Sequence, residues 1–268
     1  EYEAFKAYAT LYPDKCVLLI DTYNVLKSGL PNAIKVFNEY VVPTGNRPMG
    51  VRIDSGDITY LTKKTRKILD EAGFADCPIM ASNSLDEYII RDTLSQGAQI
   101  NSFGVGERLI TSKSEPVFGG VYKLTAIEKD GKMIPKIKKS ENVSKITTPG
   151  IKTLYRLYEK ETNKAIADVV TLIDEEIDET KPYTLFDPEY TWKKKTVSDF
   201  KVRKLLVQVF DKGKYIYHDR DLNEIKTYCE KEIATLWDEV LRFENPHNYY
   251  VDLSQKLWDM KHKLLEEN

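Results

Sequence analysis

The sequence predicts an α/β protein, an irregular and partial TIM-like barrel of parallel βα units followed by a smaller β-rich and helical C-terminal region. Three observations carry this. Short apolar runs alternate with helical periodicity four times before residue 115, at a spacing of roughly 20–35 residues. Each run ends in polar or glycine residues, as strands do at the site face of a barrel or open α/β sheet. Beyond residue 115 the texture changes to alternating, Tyr- and Thr-rich segments separated by turn signals.

Residues 1–12 read as a helix stopped by Pro13-Asp14, and 16–20 as a strand covered on both faces, ending at Asp21-Thr22-Tyr23-Asn24. A helix follows over 29–40, with Pro31 tolerated in its first turn. The second strand, 49–54, contains Gly50-Val51-Arg52-Ile53-Asp54-Ser55-Gly56-Asp57. Alternation points Arg52 and Asp54 the same way, at the carboxyl end of the strand and beside a helix start. That helix, 57–72, stops at Gly73. The third strand, 78–81, runs into Ser82-Asn83-Ser84, and its helix carries Asp86 and Glu87 in the first turn, where acids suit the helix dipole. The fourth, 100–103, runs into Gly104-Val105-Gly106-Glu107-Arg108. Right-handed crossovers place all four exits on one side.

Two domains are expected, 1–115 and 116–268. In the second, Asp130-Gly131 signals a hairpin, with 119–124 and 136–138 as its alternating arms. Further strands are expected over 154–160, 165–174, 184–197 and 202–210, an acidic solvated stretch over 175–181, and helices over 222–243 and 251–265. The run Thr191-Trp192-Lys193-Lys194-Lys195 reads as a solvated basic face.

Composition narrows the function classes. A formal net charge of −2 points to neither nucleic acid nor an anionic membrane as partner, and no apolar run reaches spanning length. Cys16, Cys77 and Cys229 are odd in number and far apart, so each is expected as a buried reduced thiol and the protein as cytoplasmic. No HExxH, CxxC pair or Walker A loop occurs, and no metal ligands are assigned. The chain opens in helical rhythm without an initiator Met, and is expected to be the C-terminal part of a longer protein.

The strand exits carry the candidate chemistry. Arg52 suits a carboxylate or phosphate through its two-pronged fork, or else pairs internally with Asp54 or Asp57. Asp54 suits ribose hydroxyls, a bound metal or the orientation of Arg52, while Asp57 suits a helix cap. Gly104 and Gly106 with Glu107 offer unobstructed backbone N–H groups, as a phosphate requires; tight turns also use glycine. Ser82 and Asn83 are further donors, or helix caps. His218, His247 and His262 all lie in the C-terminal region, away from the exits.

These motifs go beyond generic α/β patterning. The run from Asp21 to Asn32, the run from Gly50 to Asp57, Ser82-Asn83 followed by Asp86-Glu87, Phe103-Gly104-Val105-Gly106 and Gly119-Gly120-Val121-Tyr122-Lys123-Leu124 resemble, in order and spacing, the nicotinate phosphoribosyltransferase family. The resemblance implies formation of nicotinate mononucleotide and pyrophosphate from nicotinate and phosphoribosyl pyrophosphate, coupled to ATP hydrolysis, with Mg²⁺ on the leaving group, in NAD salvage. It implies an irregular α/β barrel, a second domain, and a homodimer. Arg52 and Asp54 match the pair beside nicotinate and the ribose; Asp21, Ser82 and Asn83 match site-lining exits; Gly104, Gly106 and Glu107 match the turn that receives the sugar phosphate. Glu107 replaces a small hydroxyl residue frequent in relatives. The family's phosphorylated histidine has no counterpart here, so this chain alone is expected to be inactive. Two other readings stand beside this one: an enzyme like nicotinamide phosphoribosyltransferase, and a non-catalytic phosphosugar-binding subunit.

Overall fold

A computed structural model describes residues 1–117 and 119–267. Phe118 and Asn268 fall within the second expected domain and lie outside the described residues. The chain divides into two units, Glu1–Gly120 and Val121–Asn268. The second is the longer, so the C-terminal region is not the smaller one.

Unit 1 is built on a four-stranded sheet in the order β1-β2-β3-β4, formed by Val17–Leu19, Gly50–Ile53, Ile79–Ala81 and Ser102–Phe103. Every pairing is parallel, so each crossover carries a helix back to the start of the next strand. The strands are short because the buried runs are short: Val51, Ile53, Ile79 and Ala81 are almost wholly shielded from water. Helices α1 (Tyr2–Leu11), α2 (Leu30–Val36), α3 (Ile58–Glu71) and α4 (Glu87–Ser95) supply the other layers. Phe5 of α1, Leu30 of α2, Phe37 just beyond α2 and Leu69 of α3 enter one core with the strands, beside the buried Cys16 and Cys77.

The expected 29–40 helix is longer and irregular. Wide turns over 25–29 and 37–41 flank α2, and the Gly29 N–H reaches five residues back to the Asn24 carbonyl. Glycine is required at 29, since a Cβ there would lie 1.8 Å from the Ile20 carbonyl oxygen at the end of β1.

Unit 2 holds a mixed sheet in the order β11-β7-β8-β14, from Phe200–Lys204, Lys152–Glu159, Ala165–Leu172 and Val251–Leu253. β7 and β8 are antiparallel and β14 joins β8 in parallel. A ribbon of β9 (Tyr183–Phe186) and β10 (Lys194–Val197) shares a core with β7 and β8 through Leu157, Val169, Leu185, Val197 and Phe200. The expected 184–197 strand is therefore two strands, broken where the Asp187 carboxylate turns the chain by accepting the Glu189 and Tyr190 N–H groups.

Other expectations move. The hairpin arms are β5 (Ala126–Lys129) and β6 (Lys132–Pro135), not 119–124 and 136–138, because Asp130 and Gly131, both at positive φ, turn the chain in two residues. The 202–210 strand is β11, ending at Lys204, and then a short ribbon of β12 (Phe210–Asp211) with β13 (Lys214–Tyr215). Helix α6 (Leu222–Ala234) stops well short of residue 243. The 251–265 helix is strand β14 followed by α7 (Gln255–Glu266), divided at Ser254, whose hydroxyl caps the Leu257 N–H. Within the acidic stretch Glu175 is structural, its Oε1 accepting from the Leu172 N–H and the Ser254 hydroxyl. Cys229 is exposed rather than buried. No helix among the described residues is long and apolar enough to cross a membrane.

Candidate functional site

The parallel ladder brings the polar residues that follow β1, β2 and β3 side by side. Arg52 is the penultimate residue of β2, between Val51 and Ile53, which point into the core, so alternation turns its guanidinium outward. Its Nε donates to the Ser82 hydroxyl at 2.8 Å, and its terminal nitrogen lies 3.1 Å from Asp54 Oδ2. The Ser82 hydroxyl in turn donates to Asp54 Oδ2. Asp21, at the end of β1, accepts on Oδ2 from the Asp54 N–H (3.0 Å) and from the Ser55 hydroxyl (2.6 Å). Asp21, Arg52, Asp54 and Ser82 are thus one hydrogen-bonded cluster across three strand exits.

The internal pairing weighed for Arg52 is present, with Asp54 as the partner. It does not spend the arginine. The two side chains are 45% and 42% exposed, and an ion pair at that exposure is worth about 0.2–1 kcal/mol. A charge-assisted, bidentate bond to a phosphate or carboxylate competes with it readily. Ser82 is the rigid member of the cluster: it is 3% exposed, and its N–H extends the ladder to the Ile53 carbonyl. Asp57 takes the capping role, accepting the Tyr60 N–H at the start of α3.

Asn83 is exposed, with φ 96°, and Ser84 follows at φ 43°. Two successive non-glycine residues in left-handed territory store strain, which concentrates at functional turns. Asn83 is not the cap of α4; Asp86 is, through the Ile89 N–H.

The glycine turn adjoins the cluster. A Cβ on Gly104 would lie 3.2 Å from Ser82 Cβ, so β4 leaves the sheet directly against β3's exit. The Gly104 N–H donates to the Ala81 carbonyl at 2.8 Å, which withdraws it from the expected role of phosphate donor. The N–H groups of Gly106 and Glu107 donate to no acceptor among the described residues, no side chain caps the turn, and the space beside Gly106 is open. The Glu107 side chain is exposed and opens the single helical turn α5 (Glu107–Ile110).

Sequence reasoning missed the tie that fixes this turn. Arg108 reaches back to Asp86 Oδ2, linking the fourth exit to the third. The arginine holds the Asp86 carboxyl below the usual carboxylate range, after the larger effect of the Ile89 N–H. A capping acid and an arginine 22 residues apart carry no pattern that announces the bond.

Parallel βα units with an arginine, two carboxylates, a buried hydroxyl and open amides at their carboxyl ends define an α/β protein whose strand exits carry groups suited to an anion. Comparison with known proteins agrees. Residues 151–261 match the family model described as nicotinate phosphoribosyltransferase C-terminal domain. The chain is 43% identical over 269 residues to nicotinate phosphoribosyltransferase of Bacillus subtilis (strain 168), covering 100% of this chain and 54% of that protein. It is 37% identical over 278 residues to the Caenorhabditis elegans protein of that name, covering 100% and 48%. The crystal structure of human nicotinic acid phosphoribosyltransferase superposes with a TM-score of 0.76 at 28% identity, covering 99% of this chain and 50% of that one. The chain is thus similar along its whole length to nicotinate phosphoribosyltransferases, and it spans about half the length of the curated relatives it matches.

Proposed function

We propose that this chain supplies the phosphosugar side of a nicotinate phosphoribosyltransferase, which joins nicotinate to phosphoribosyl pyrophosphate and releases pyrophosphate in NAD salvage. The carrying observation is the Asp21–Asp54–Arg52–Ser82 cluster, in a chain of this likeness. Displacement at the anomeric carbon builds positive charge on the ribose while negative charge gathers on the leaving group. Asp54 faces the former and orients Arg52. Arg52 holds an anion, the nicotinate carboxylate or a phosphate, and a carboxylate substrate favours the acid over the amide. The Gly106 and Glu107 amides receive the sugar phosphate, with Glu107 contributing backbone only. Asn83 rims the same exits.

The sequential β1-β2-β3-β4 order supports the finer reading of the sheet as an arc of a TIM-like barrel, since doubly wound sheets reverse direction. The hydrogen bonds of Asp21 and Asp54 fall on Oδ2 in both, which leaves Oδ1 of each to accept from a bound group. Oδ1 of Asp21 and of Asp54 are the oxygens that would meet a Mg²⁺ ion keeping water and substrate phosphate. Bound to pyrophosphate, Mg²⁺ would neutralise the leaving group's charge. ATP coupling, a cytoplasmic location and homodimer assembly belong to this proposal through the family. None of the three histidines sits at a strand exit, so the phosphorylated histidine is assigned to residues outside this chain.

Titration of the purified chain with phosphoribosyl pyrophosphate and Mg²⁺ tests the reading. Binding is expected, weakened about tenfold or more by Arg52→Ala, with no mononucleotide formed after nicotinate and ATP are added. Binding indifferent to Arg52→Ala would count against the site, and turnover at full rate against the assignment of the histidine.

A further inference from the structure

Unit 2 contains a cleft of about 830 Å³ lined by the start of β8, by β9 and β10, by residues 237–250 and by β14. Its size falls within the roughly 300–1,000 Å³ of small-molecule sites. Three kinds of side chain meet there.

On one wall stand Trp237, His247 and Tyr250. Trp237 and Tyr250 are 38% and 50% exposed, yet fixed. Trp237 Nε1 donates to the Ala165 carbonyl at 3.0 Å. The Tyr250 carbonyl accepts the Asp168 N–H at 3.0 Å, and His247 packs edge-on to the Tyr250 ring. This wall is preformed, and large aromatic faces left open to water seek a flat partner.

The lining also includes Lys193, Lys194 and Lys195, the basic run that the sequence assigned to a solvated face. Lys193 rests over the Tyr190 ring, and none of the three forms an ion pair among the described residues. Asp187, Glu159 and Glu239 share the lining, and Asp187 Oδ1 already accepts two backbone N–H groups.

Asp252 of β14 completes the cleft. It is only 4% exposed, and its strand register pairs it with Val169, a residue of the core under β9 and β10. No cation or side-chain donor among the described residues meets its carboxyl. A buried carboxyl so poorly partnered weakens a fold. A ligand donor would complete it.

We propose that this cleft binds a nucleoside-monophosphate-like ligand. The heteroaromatic ring lies against Trp237, His247 and Tyr250, an amino or ring N–H donates to Asp252, and the phosphate meets Lys193, Lys194 and Lys195. Stacking on the aromatic wall tolerates different bases, so the amino group and the phosphate supply the selectivity.

Calorimetric titration of the full 268-residue chain with adenosine monophosphate tests this. Saturable binding is expected, with affinity about tenfold or more lower for adenosine, which lacks the phosphate. A similar loss is expected in Asp252→Ala and in the combined Lys193→Ala, Lys194→Ala, Lys195→Ala variant. Arg52→Ala, which alters the strand exits of unit 1, should leave this binding unchanged. Circular dichroism checks each variant's fold; the lysine variant alters exposed positions only and decides the matter if Asp252→Ala does not fold. Absence of binding at millimolar nucleotide would overturn the proposal, as would binding that ignores the lysines, or binding that disappears in Arg52→Ala.

Discussion

Arg52 shows how one side chain can be held and still be available. Its partners Ser82 and Asp54 fix its direction, while its half-exposed ion pair contributes little to folding. Arg52→Ala should therefore shift the thermal midpoint by no more than about 2–4 °C while weakening phosphoribosyl pyrophosphate binding; scanning calorimetry separates the two effects. Asp252 is the opposite case. Burial, then the Asp187 charge, push its carboxyl up to about 6. An unfolded Asp titrates near ~3.9, so between these values the folded chain holds the proton more tightly. Its stabilising contribution is complete below the lower value, falls as pH rises, and is gone above the upper one. Asp252→Asn should remove that dependence and stabilise the chain at pH 8 by on the order of 2 kcal/mol, with little gain at pH 4, as urea melts at the two pH values will report. The cysteines give a third check. Burial pushes the Cys16 and Cys77 thiols up to about 11 and about 12, whereas Cys229 is exposed, so a thiol reagent should label one site rapidly and two only on unfolding. Alternation along β2 made Arg52 and Asp54 legible as a pair. The bond that Ser82 makes to both was not, because it depends on the register of β2 against β3.

Elements with strong local punctuation were read well. Pro13, Gly73 and the acids at Asp57 and Asp86 mark helix ends, and the structure puts α1 and α3 within about two residues of expectation. Failures came where tertiary contacts override local pattern. Residues 251–253 carry a helix-compatible rhythm but extend to pair with β8, and only then does Ser254 cap α7. That misreading also hid Asp252, since a residue placed on a helix could not be seen lining the cleft. The wide turns around α2 are likewise a packing effect, setting Gly29 against the backbone that ends β1. Gly29→Ala should destabilise the chain by about 3 kcal/mol or more, since backbone must move to admit the methyl group. Urea unfolding of Gly29→Ala beside the unaltered chain measures the loss.

At the scale of the molecule, strand order carries the argument. Four parallel strands laid down consecutively set four exits in a row, and the residues that follow them became candidates before any contact was known. What the row could not foretell is which groups remain available: Gly104 spends its N–H on the ladder, and the amides of Gly106 and Glu107 are left for a ligand. The family match by sequence profile falls in unit 2, while the candidate site lies in unit 1, so family likeness and site rest on separate stretches of chain. The two are joined by full-chain likeness to the Bacillus subtilis and human proteins. A crystal structure of this chain soaked with phosphoribosyl pyrophosphate and Mg²⁺ is the most direct test. The sugar phosphate should sit within hydrogen-bonding distance of the Gly106 or Glu107 amide, with Arg52 on an anionic group and Asp54 facing the ribose. Density for the ligand away from these exits, or exits left empty at saturating ligand, would contradict the account.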